Sequence, residues 1–195
     1  MNTYSHFLMT ALAGDRLKLR NIPVHTKAFL LGSVAPDVPL VALTLGYFAY
    51  RYWFDPIQPG EHIFGDRYDN LYFYNPFWIA AHNMLHAPLL IALYAAIGYY
   101  ATRARKRWGP ALFWFALACG FHSAVDIFTH HNDGPVLFFP FEWHLRFPSP
   151  ISYWHPAYGG RIFAPLELLL DAAIILYFAV AWWRLRLSGG FKRKV

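Results

Sequence analysis

The feature that most constrains this chain is a series of long apolar stretches with almost no charge. A helix that crosses a bilayer needs about 20 mostly apolar residues. Residues 77–100 contain no Lys, Arg, Asp or Glu, residues 111–129 contain one carboxylate, and residues 162–183 contain two. Each of these stretches is therefore expected to form a membrane-spanning helix.

A fourth apolar stretch, residues 28–54, is interrupted by Pro36 and Pro39. Proline removes a backbone donor and clashes with the preceding turn, so we expect a broken first span here. A short N-terminal helix is expected over residues 4–14. The sequence thus predicts an all-α fold, an integral membrane helical bundle of about four spans that forms a single domain over residues 1–195.

The overall composition excludes several classes of protein. Hydrophobic residues make up 57% of the chain and charged residues 14%, whereas soluble domains carry about 25% charged residues. These proportions exclude a typical soluble enzyme, a disordered chain and a coiled coil. Cys119 is the only cysteine, which excludes a disulfide framework and a cysteine-based zinc finger.

The net charge of +6 does not indicate a nucleic-acid partner, because the basic residues cluster between the apolar stretches. Positive residues concentrate in the cytoplasmic loops of membrane proteins. We therefore expect a multi-pass protein with cytoplasmic termini and with outward-facing loops at residues 55–76 and 130–161. The three basic groups are Arg16, Lys18, Arg20 and Lys27; Arg103, Arg105, Lys106 and Arg107; and Arg184, Arg186, Lys192, Arg193 and Lys194.

Ionisable side chains inside apolar helices are costly and usually functional. His82 and His86 are four residues apart, and so are His122 and Asp126. On a helix this spacing places two side chains on one face, so each pair can bind one ion. Imidazole and carboxylate together suit Zn²⁺, Mn²⁺ or Fe²⁺. Further candidates are His6, Asp37, His130, His131, Asp133, Glu167 and Asp171.

These residues also have structural interpretations. A single histidine in an apolar helix is more often a hydrogen-bonded helix contact than a ligand, but two pairs in successive helices, with His6 and Asp37 besides, favour a metal. Glu167 either orients a ligand or acts as a base, or it pairs with Arg161 near the interface. Asp171 is interpreted as a buried hydrogen-bond partner.

In the four-span arrangement, Asp37 and the two pairs are expected at different depths in the bilayer unless the first span is broken. If Lys27 lies at the cytoplasmic surface, ten helical residues place Asp37 about 15 Å deep. Asp37 then meets the two pairs only if the chain is unwound at residues 36–39, with Asp37 lining a cavity. The alternative is that residues 39–54 lie along the interface instead of spanning.

The order of these motifs resembles that of bacterial membrane-bound metal-dependent hydrolases of the YdjM type. Their pattern includes an early Thr-His, a Gly-x-x-x-Pro-Asp, an internal histidine pair and a glycine shortly before His-x-x-x-Asp. The same order of motifs is also similar to that of soluble zinc-dependent phospholipase C. In this chain the matching segments are Ser5-His6, Gly32 to Asp37, His82 with His86, and Gly120 to Asp126 followed by Thr129-His130.

The resemblance implies an all-helical hydrolase of the bacterial inner membrane that holds one or two divalent ions, with zinc expected and manganese or iron as alternatives. Asp133 or Glu167 is the candidate for taking a proton from water. Position 5 is Ser instead of Thr, and Val38-Pro39-Leu40 stands where the family often has a further Asp-His. The ligands implied are His6, Asp37, His82 or His86, His122 and Asp126, with His130 as a further candidate.

The sequence therefore predicts a membrane-embedded hydrolase that cleaves a phosphoester of a lipid or lipid-linked substrate. A membrane di-iron desaturase or hydroxylase is one alternative, because its histidine boxes share the spacing of His82 and His86. The others are a non-enzymatic transporter that relays ions through His and Asp side chains, and a haem-binding cytochrome. The metal content distinguishes these four functions.

Overall fold

The computed structural model describes residues 1–187. The predicted third basic group extends to Lys192, Arg193 and Lys194, which lie outside the described residues. Within the described range the secondary structure is helical, apart from one isolated antiparallel bridge between Val136 and Arg146. The helices are α1 (Thr3–Leu19), α2 (Thr26–Gly32), α3 (Asp37–Trp53), α4 (Asp66–Tyr74), α5 (Pro76–Asn83), α6 (Pro88–Arg103), α7 (Gly109–Thr129) and α8 (Gly160–Leu187), with a short 3-10 turn at Pro156–Tyr158.

The described helices provide two to four candidate membrane spans. α7 and α8 are each long and apolar enough to cross a bilayer alone. The pair α2 and α3 and the pair α5 and α6 meet that criterion only when each pair is taken as one bent span, with bends of 45° and 42°. The predicted all-α membrane bundle is confirmed.

The first bent pair breaks one turn earlier than expected. Residues 33–36 form the break, in which Ala35 N–H donates to the carbonyl of Leu31 at 2.9 Å. Asp37 is therefore the first residue of α3, and the expectation that it lies on an unwound segment at 36–39 is wrong. Pro39 falls in the first turn of α3, where its missing N–H has no intrahelical partner to lose.

The second bent pair corrects another expectation. The sequence predicts a continuous span over residues 77–100, but the helix stops at Asn83 and restarts at Pro88. Proline favours a helix start, because its ring excludes the preceding turn and its missing N–H costs nothing there. The break places His86 between two helix ends.

α7 is the helix around which the others pack. It contacts α6 and α2 most extensively and also contacts α1. A Cβ added at Gly32 would lie 2.3 Å from the carbonyl oxygen of Phe115, and one at Gly98 would lie 2.5 Å from the nitrogen of Phe113. These two glycines therefore permit close helix contacts along α7. α1 is longer than the predicted 4–14 segment, and it packs against α8 as well.

The segment between α7 and α8 folds over the C-terminal end of α7 and the second helix break. Asn83 fixes it there: its side-chain oxygen accepts from the backbone N–H of Val136 at 2.8 Å, while its amide donates to the carbonyl of Ile79 at 2.8 Å. The backbone N–H of Tyr153 donates to the carbonyl of Thr129 at 2.8 Å. These bonds cover the end of the helix that carries His122 and Asp126.

Candidate metal centre

Four side chains from three separate parts of the chain each place one ligand atom within 4.8 Å of the others: Asp37, His86, His122 and Asp126. Nε2 of His122 lies 3.0 Å from Oδ2 of Asp126 and 3.3 Å from Oδ1 of Asp37. Nε2 of His86 lies 3.6 Å and 3.5 Å from the same two oxygens. The two Nε2 atoms are 3.1 Å apart. The four atoms form one compact N₂O₂ set.

The two helix breaks produce this convergence. Asp37 begins α3 directly after the first break, and His86 lies inside the second. His122 and Asp126 are one turn apart on α7, against which both breaks pack. Irregular backbone is tolerated at membrane depth where it is buried in protein or lines a cavity. The breaks thus bring ligands from three segments onto one face of α7.

The backbone determines which nitrogen each histidine offers to the centre. Nδ1 of His86 donates to the carbonyl of His82 at 3.0 Å, and Nδ1 of His122 donates to the carbonyl of Ser33 at 2.8 Å. A carbonyl oxygen only accepts, so each Nδ1 carries a proton, and the neutral form of each ring presents its lone pair at Nε2. A hydrogen bond from the other ring nitrogen is the usual support of a metal-binding histidine.

The two carboxylates are oriented in the same manner, each by one oxygen. Thr3 donates its hydroxyl to Oδ2 of Asp37 at 2.5 Å, which leaves Oδ1 in the centre. Nε2 of His6 and the amino group of Met1 lie 2.9 Å and 3.0 Å from Oδ1 of Asp126, which leaves Oδ2 in the centre. Each carboxylate therefore has one oxygen held by donors and one directed at the histidines.

The centre holds more acceptors than donors when both imidazoles are neutral. Two Nε2 atoms and two carboxylate oxygens then face one another, and of the four residues all but Asp37 are buried. Acceptors this close repel one another unless a cation or a proton lies between them, and burying unpaired charge is costly. Two imidazoles and two carboxylates form a ligand set that suits Zn²⁺, Mn²⁺ or Fe²⁺. The residues present fit a divalent metal ion.

His6 and His130, which the sequence proposes as ligands, flank this four-residue set. The ring of His6 stacks on His122 with centroids 3.7 Å apart, and its Nδ1 is buried without a hydrogen-bond partner. Nδ1 of His130 donates to the backbone carbonyl of Asp126 at 3.1 Å and lies 3.5 Å from its Oδ1. Both rings therefore contact ligand residues.

His82 lies one turn away from the centre. Its ring packs against the rings of Tyr72 at 5.3 Å and of His86 at 4.4 Å, and its backbone carbonyl holds Nδ1 of His86. Of the predicted pair, His86 is thus the member in the compact set. Tyr72 lies outside the spans, and its burial raises the pKa of the phenol. Its hydroxyl remains protonated at neutral pH and donates to the backbone carbonyl of Asp133 at 2.6 Å.

The two candidate bases have different surroundings. Asp133 accepts from the indole N–H of Trp154 at 2.8 Å through Oδ2, and its Oδ1 is buried without a hydrogen-bond partner. Glu167 uses both oxygens on Asn2, accepting from the backbone N–H at 2.7 Å and from the side-chain amide at 3.1 Å. Glu167 therefore attaches α1 to α8. Asp171 accepts from the hydroxyl of Ser5 at 2.8 Å, as its hydrogen-bonding interpretation predicts.

Sequence reasoning missed the groups that orient the ligands. Thr3 and the carbonyl of Ser33 belong to this class, as does Ser123, whose hydroxyl donates to the carbonyl of His86 at 2.5 Å. The hydroxyls of Thr3 and Ser123 lie within three residues of the predicted ligands His6 and His122, so proximity in sequence is a signal for both. The carbonyl of Ser33 has no such signal, because every residue has a carbonyl.

Residues 1–190 match the family model described as YdjM inner membrane protein. No curated protein and no solved structure matches the chain.

Proposed function

The chain belongs to the YdjM inner membrane protein family, and we propose that within this family it is a metal-dependent hydrolase acting on a phosphoester of a lipid or lipid-linked substrate. The observation that carries the proposal is the N₂O₂ set of Asp37, His86, His122 and Asp126. Every member of this set is oriented by a separate hydrogen bond, and this degree of support is typical of metal ligands.

Zinc is the ion that we propose first, because His and Asp are among its usual ligands and a catalytic zinc can expand to five ligands to take a water or substrate oxygen. Manganese and iron accept the same ligand types. When bound, such an ion supplies Lewis-acid polarisation of a phosphoryl oxygen and generates a nucleophile from water at neutral pH. Measuring the metal-to-protein ratio of purified protein distinguishes one bound ion from two.

The residues of the chain perform the remaining tasks. His86 and His122 keep their Nε2 lone pairs directed inward because backbone carbonyls hold their Nδ1 protons. Asp133 is the residue that we propose as proton acceptor, since its buried Oδ1 has no hydrogen-bond partner. Glu167 is the weaker candidate, because Asn2 occupies both of its oxygens.

A lipid-like substrate follows from the expected position of the centre in the bilayer. His122 is 13 residues from the start of α7, which corresponds to about 20 Å of helix. A hydrocarbon core is about 30 Å thick, so a substrate must reach below the membrane surface. Amphiphilic molecules with a phosphoester near the headgroup satisfy this requirement.

We propose a multi-pass topology with the loop between α1 and α2, the loop between α6 and α7 and the C-terminal end of α8 in the cytoplasm. Met1 does not share this side as the sequence predicts, because its amino group contacts Asp126 at the opposite end of α7. The support is the positive charge of Arg103, Arg105, Lys106 and Arg107. Single cysteines in a Cys119→Ser background at the exposed positions Ala104 and Asn132 test it. In intact cells a membrane-impermeant thiol reagent should label the cysteine at 132 and spare the one at 104. The reverse pattern would invert the topology.

Metal analysis followed by an activity assay tests the hydrolase. Detergent-purified protein should contain zinc or manganese by elemental mass spectrometry and should release product from phospholipids or lipid-linked phosphates. A chelator should remove both the metal and the activity, and Zn²⁺ or Mn²⁺ should restore the activity. Asp126→Ala should behave as the chelated protein does, whereas His25→Ala should match the wild type.

The alternative functions give different results in the same experiment. Iron together with activity that requires O₂ and a reductant would establish the di-iron oxygenase instead. Haem absorbance would establish the cytochrome, and protein without metal would favour the transporter. Metal-replete protein that hydrolyses no phospholipid, lipid-linked phosphate or carboxylic ester would contradict the hydrolase.

A further inference from the structure

A groove of about 630 Å³ lies beside α3, away from the metal centre. Its volume falls within the range of about 300–1,000 Å³ that is common for small-molecule sites. Apolar and aromatic side chains line most of it, and charged side chains lie among them. The lining residues are Ala42, Leu43, Gly46, Tyr47, Tyr50, Arg51, Asp55, Arg67, Asn70, Leu71 and Trp78.

The groove is separate from the site of the proposed hydrolysis. Its α3 lining begins at Ala42, five residues after Asp37, and extends to Arg51, fourteen residues after it. At 1.5 Å per residue the charged lining lies about 21 Å along α3 from the metal ligand. A headgroup held at Arg51 therefore lies well beyond the reach of the centre.

Four charged side chains, which we name the outer ion-pair cluster, lie at this part of the groove: Arg51, Asp55, Glu61 and Arg67. Nη2 of Arg51 donates to Glu61 at 2.5 Å, and its Nη1 donates to Asp55 at 3.3 Å. Arg67 bonds the same Asp55 and lies 3.4 Å from Glu61. Two positive and two negative charges thus balance within the cluster.

Arg51 has one polar atom that this cluster leaves unused. Its side chain is 3% exposed, and its Nε is buried without a hydrogen-bond partner. A buried N–H with no acceptor costs free energy that a ligand oxygen can recover. Arginine binds phosphate oxygens through its N–H groups with charge-assisted hydrogen bonds. Arg51, a lining residue of the groove, therefore carries an unsatisfied donor suited to a phosphate.

The neighbouring aromatic residues indicate the level of lipid headgroups. Tyr50, Tyr52, Trp53 and Phe54 surround Arg51 at the end of α3, and each is more than half exposed. Exposed tyrosine and tryptophan concentrate at the boundary between hydrocarbon and headgroups. Arg51 is thus expected at the depth of a phospholipid phosphate, with the apolar part of the groove at the depth of the acyl chains.

We propose that the groove binds one zwitterionic phospholipid, with its phosphate on Arg51 and Arg67, its ammonium group on Asp55, and an acyl chain along the apolar lining of α3. The balanced charge of the outer ion-pair cluster is the reason for a headgroup that carries both signs. A purely anionic headgroup would face two carboxylates without a cation of its own. This lipid is a ligand in addition to the substrate of the metal centre.

Gly46 allows the groove to be filled without disturbing the helix packing. A Cβ at this position would have no atom within 4 Å, so Gly46→Phe projects a ring into open space inside the groove. Leu45 is the matched control, because it is adjacent on α3 and 60% exposed away from the groove lining. Arg51→Lys supplies a second variant that keeps the positive charge and loses Nε.

Native mass spectrometry of the detergent-purified full chain tests the proposal with three added lipids: phosphatidylethanolamine, phosphatidylglycerol and diacylglycerol. The wild type and Leu45→Phe should each retain one phosphatidylethanolamine. Gly46→Phe and Arg51→Lys should bind this lipid at least about tenfold more weakly, equivalent to about 1.4 kcal/mol. Both should keep the wild-type metal content, which shows that the fold and the metal centre are intact.

Three outcomes would overturn the proposal. Equal retention of diacylglycerol would show that no phosphate is recognised, and equal retention of phosphatidylglycerol would remove the role of the ammonium group and Asp55. Unchanged phosphatidylethanolamine binding by Gly46→Phe at wild-type metal content would place the lipid elsewhere. The metal-dependent hydrolysis is measured separately, so its failure leaves this result unaffected.

Discussion

The metal centre and the outer ion-pair cluster are both built from four ionisable side chains, but their balance of donors and acceptors differs. In the cluster, Arg51 and Arg67 meet Asp55 and Glu61 in direct ion pairs. In the centre, two histidine Nε2 atoms and two carboxylate oxygens face one another. The first arrangement is charge-neutral by itself, whereas the second has the ligand types that would hold a cation.

This difference separates charges that pair directly with one another from groups that fit a metal ion. The outer ion-pair cluster connects the end of α3 to the segment before α4, and its carboxylates are about one-third exposed. Partly exposed ion pairs contribute little to stability individually. Three of the four residues of the candidate metal centre are buried, so changing one of them should have a larger effect than any change to the cluster.

The largest expected effect follows from deleting a ligand. His122→Ala and Asp126→Ala should each abolish stoichiometric metal binding, because the remaining ligands lose both a bond and their alignment. Elemental mass spectrometry of purified protein measures the metal-to-protein ratio. His25→Ala and His155→Ala, which change histidines outside the centre, should remain near the wild-type ratio. Loss of metal in these two controls, with retention in the ligand variants, would place the site elsewhere.

A smaller effect is expected from a residue that only orients a ligand. Thr3→Val removes the hydroxyl that holds Oδ2 of Asp37 and should weaken metal affinity about 10- to 100-fold. Competition with a metal-sensitive dye gives the affinity. Thr10→Val is the control on the same helix, since the Thr10 hydroxyl is buried without a partner. Equal affinities in both variants would mean that Thr3 does not orient the ligand.

The covering segment should be sensitive to Asn83. Asn83→Ala leaves the buried N–H of Val136 without its acceptor, which costs about 1–3 kcal/mol. Limited proteolysis should then cleave within residues 130–159 faster than in the wild type. Asn132→Ala, which changes an exposed residue of the same segment, should leave the cleavage rate unchanged. Wild-type protection in Asn83→Ala would show that other contacts hold the segment.

The smallest effect is expected in the outer ion-pair cluster. The backbone N–H of Gln58 and the guanidinium of Arg51 hold the pKa of Glu61 below its ordinary value. In the unfolded chain a glutamate has a pKa of about 4.3. Glu61 therefore stabilises the fold fully above that pH and loses this contribution as the pH falls through its lower pKa in the folded protein. Glu61→Gln should lower the thermal midpoint slightly at pH 7, and the difference should disappear on acidification. A difference that persists at low pH would exclude ionisation as its cause.

Much of the fold could be predicted from the sequence, because the bilayer imposes a simple requirement on helix length and polarity. The apolar stretches 111–129 and 162–183 correspond closely to α7 and α8. Proline predicted the first break, although one turn too late. The second break has the same cause, since Pro88 begins α6, but the uncharged stretch around it suggested a continuous helix.

The sequence by itself determined the ligand types and much of their spacing, because intramembrane His and Asp are too costly to be placed without a partner. His122 and Asp126 belong together on one helix turn wherever α7 lies. Only the tertiary structure selected His86 over His82 for the compact set and assigned Glu167 to Asn2. That selection depends on the angle at each helix break and on backbone carbonyls that fix the imidazole tautomers. Proline marks where each break lies, but the angle of the bend is set by packing, and every residue carries a carbonyl, so residue identity shows neither the angle nor the tautomer.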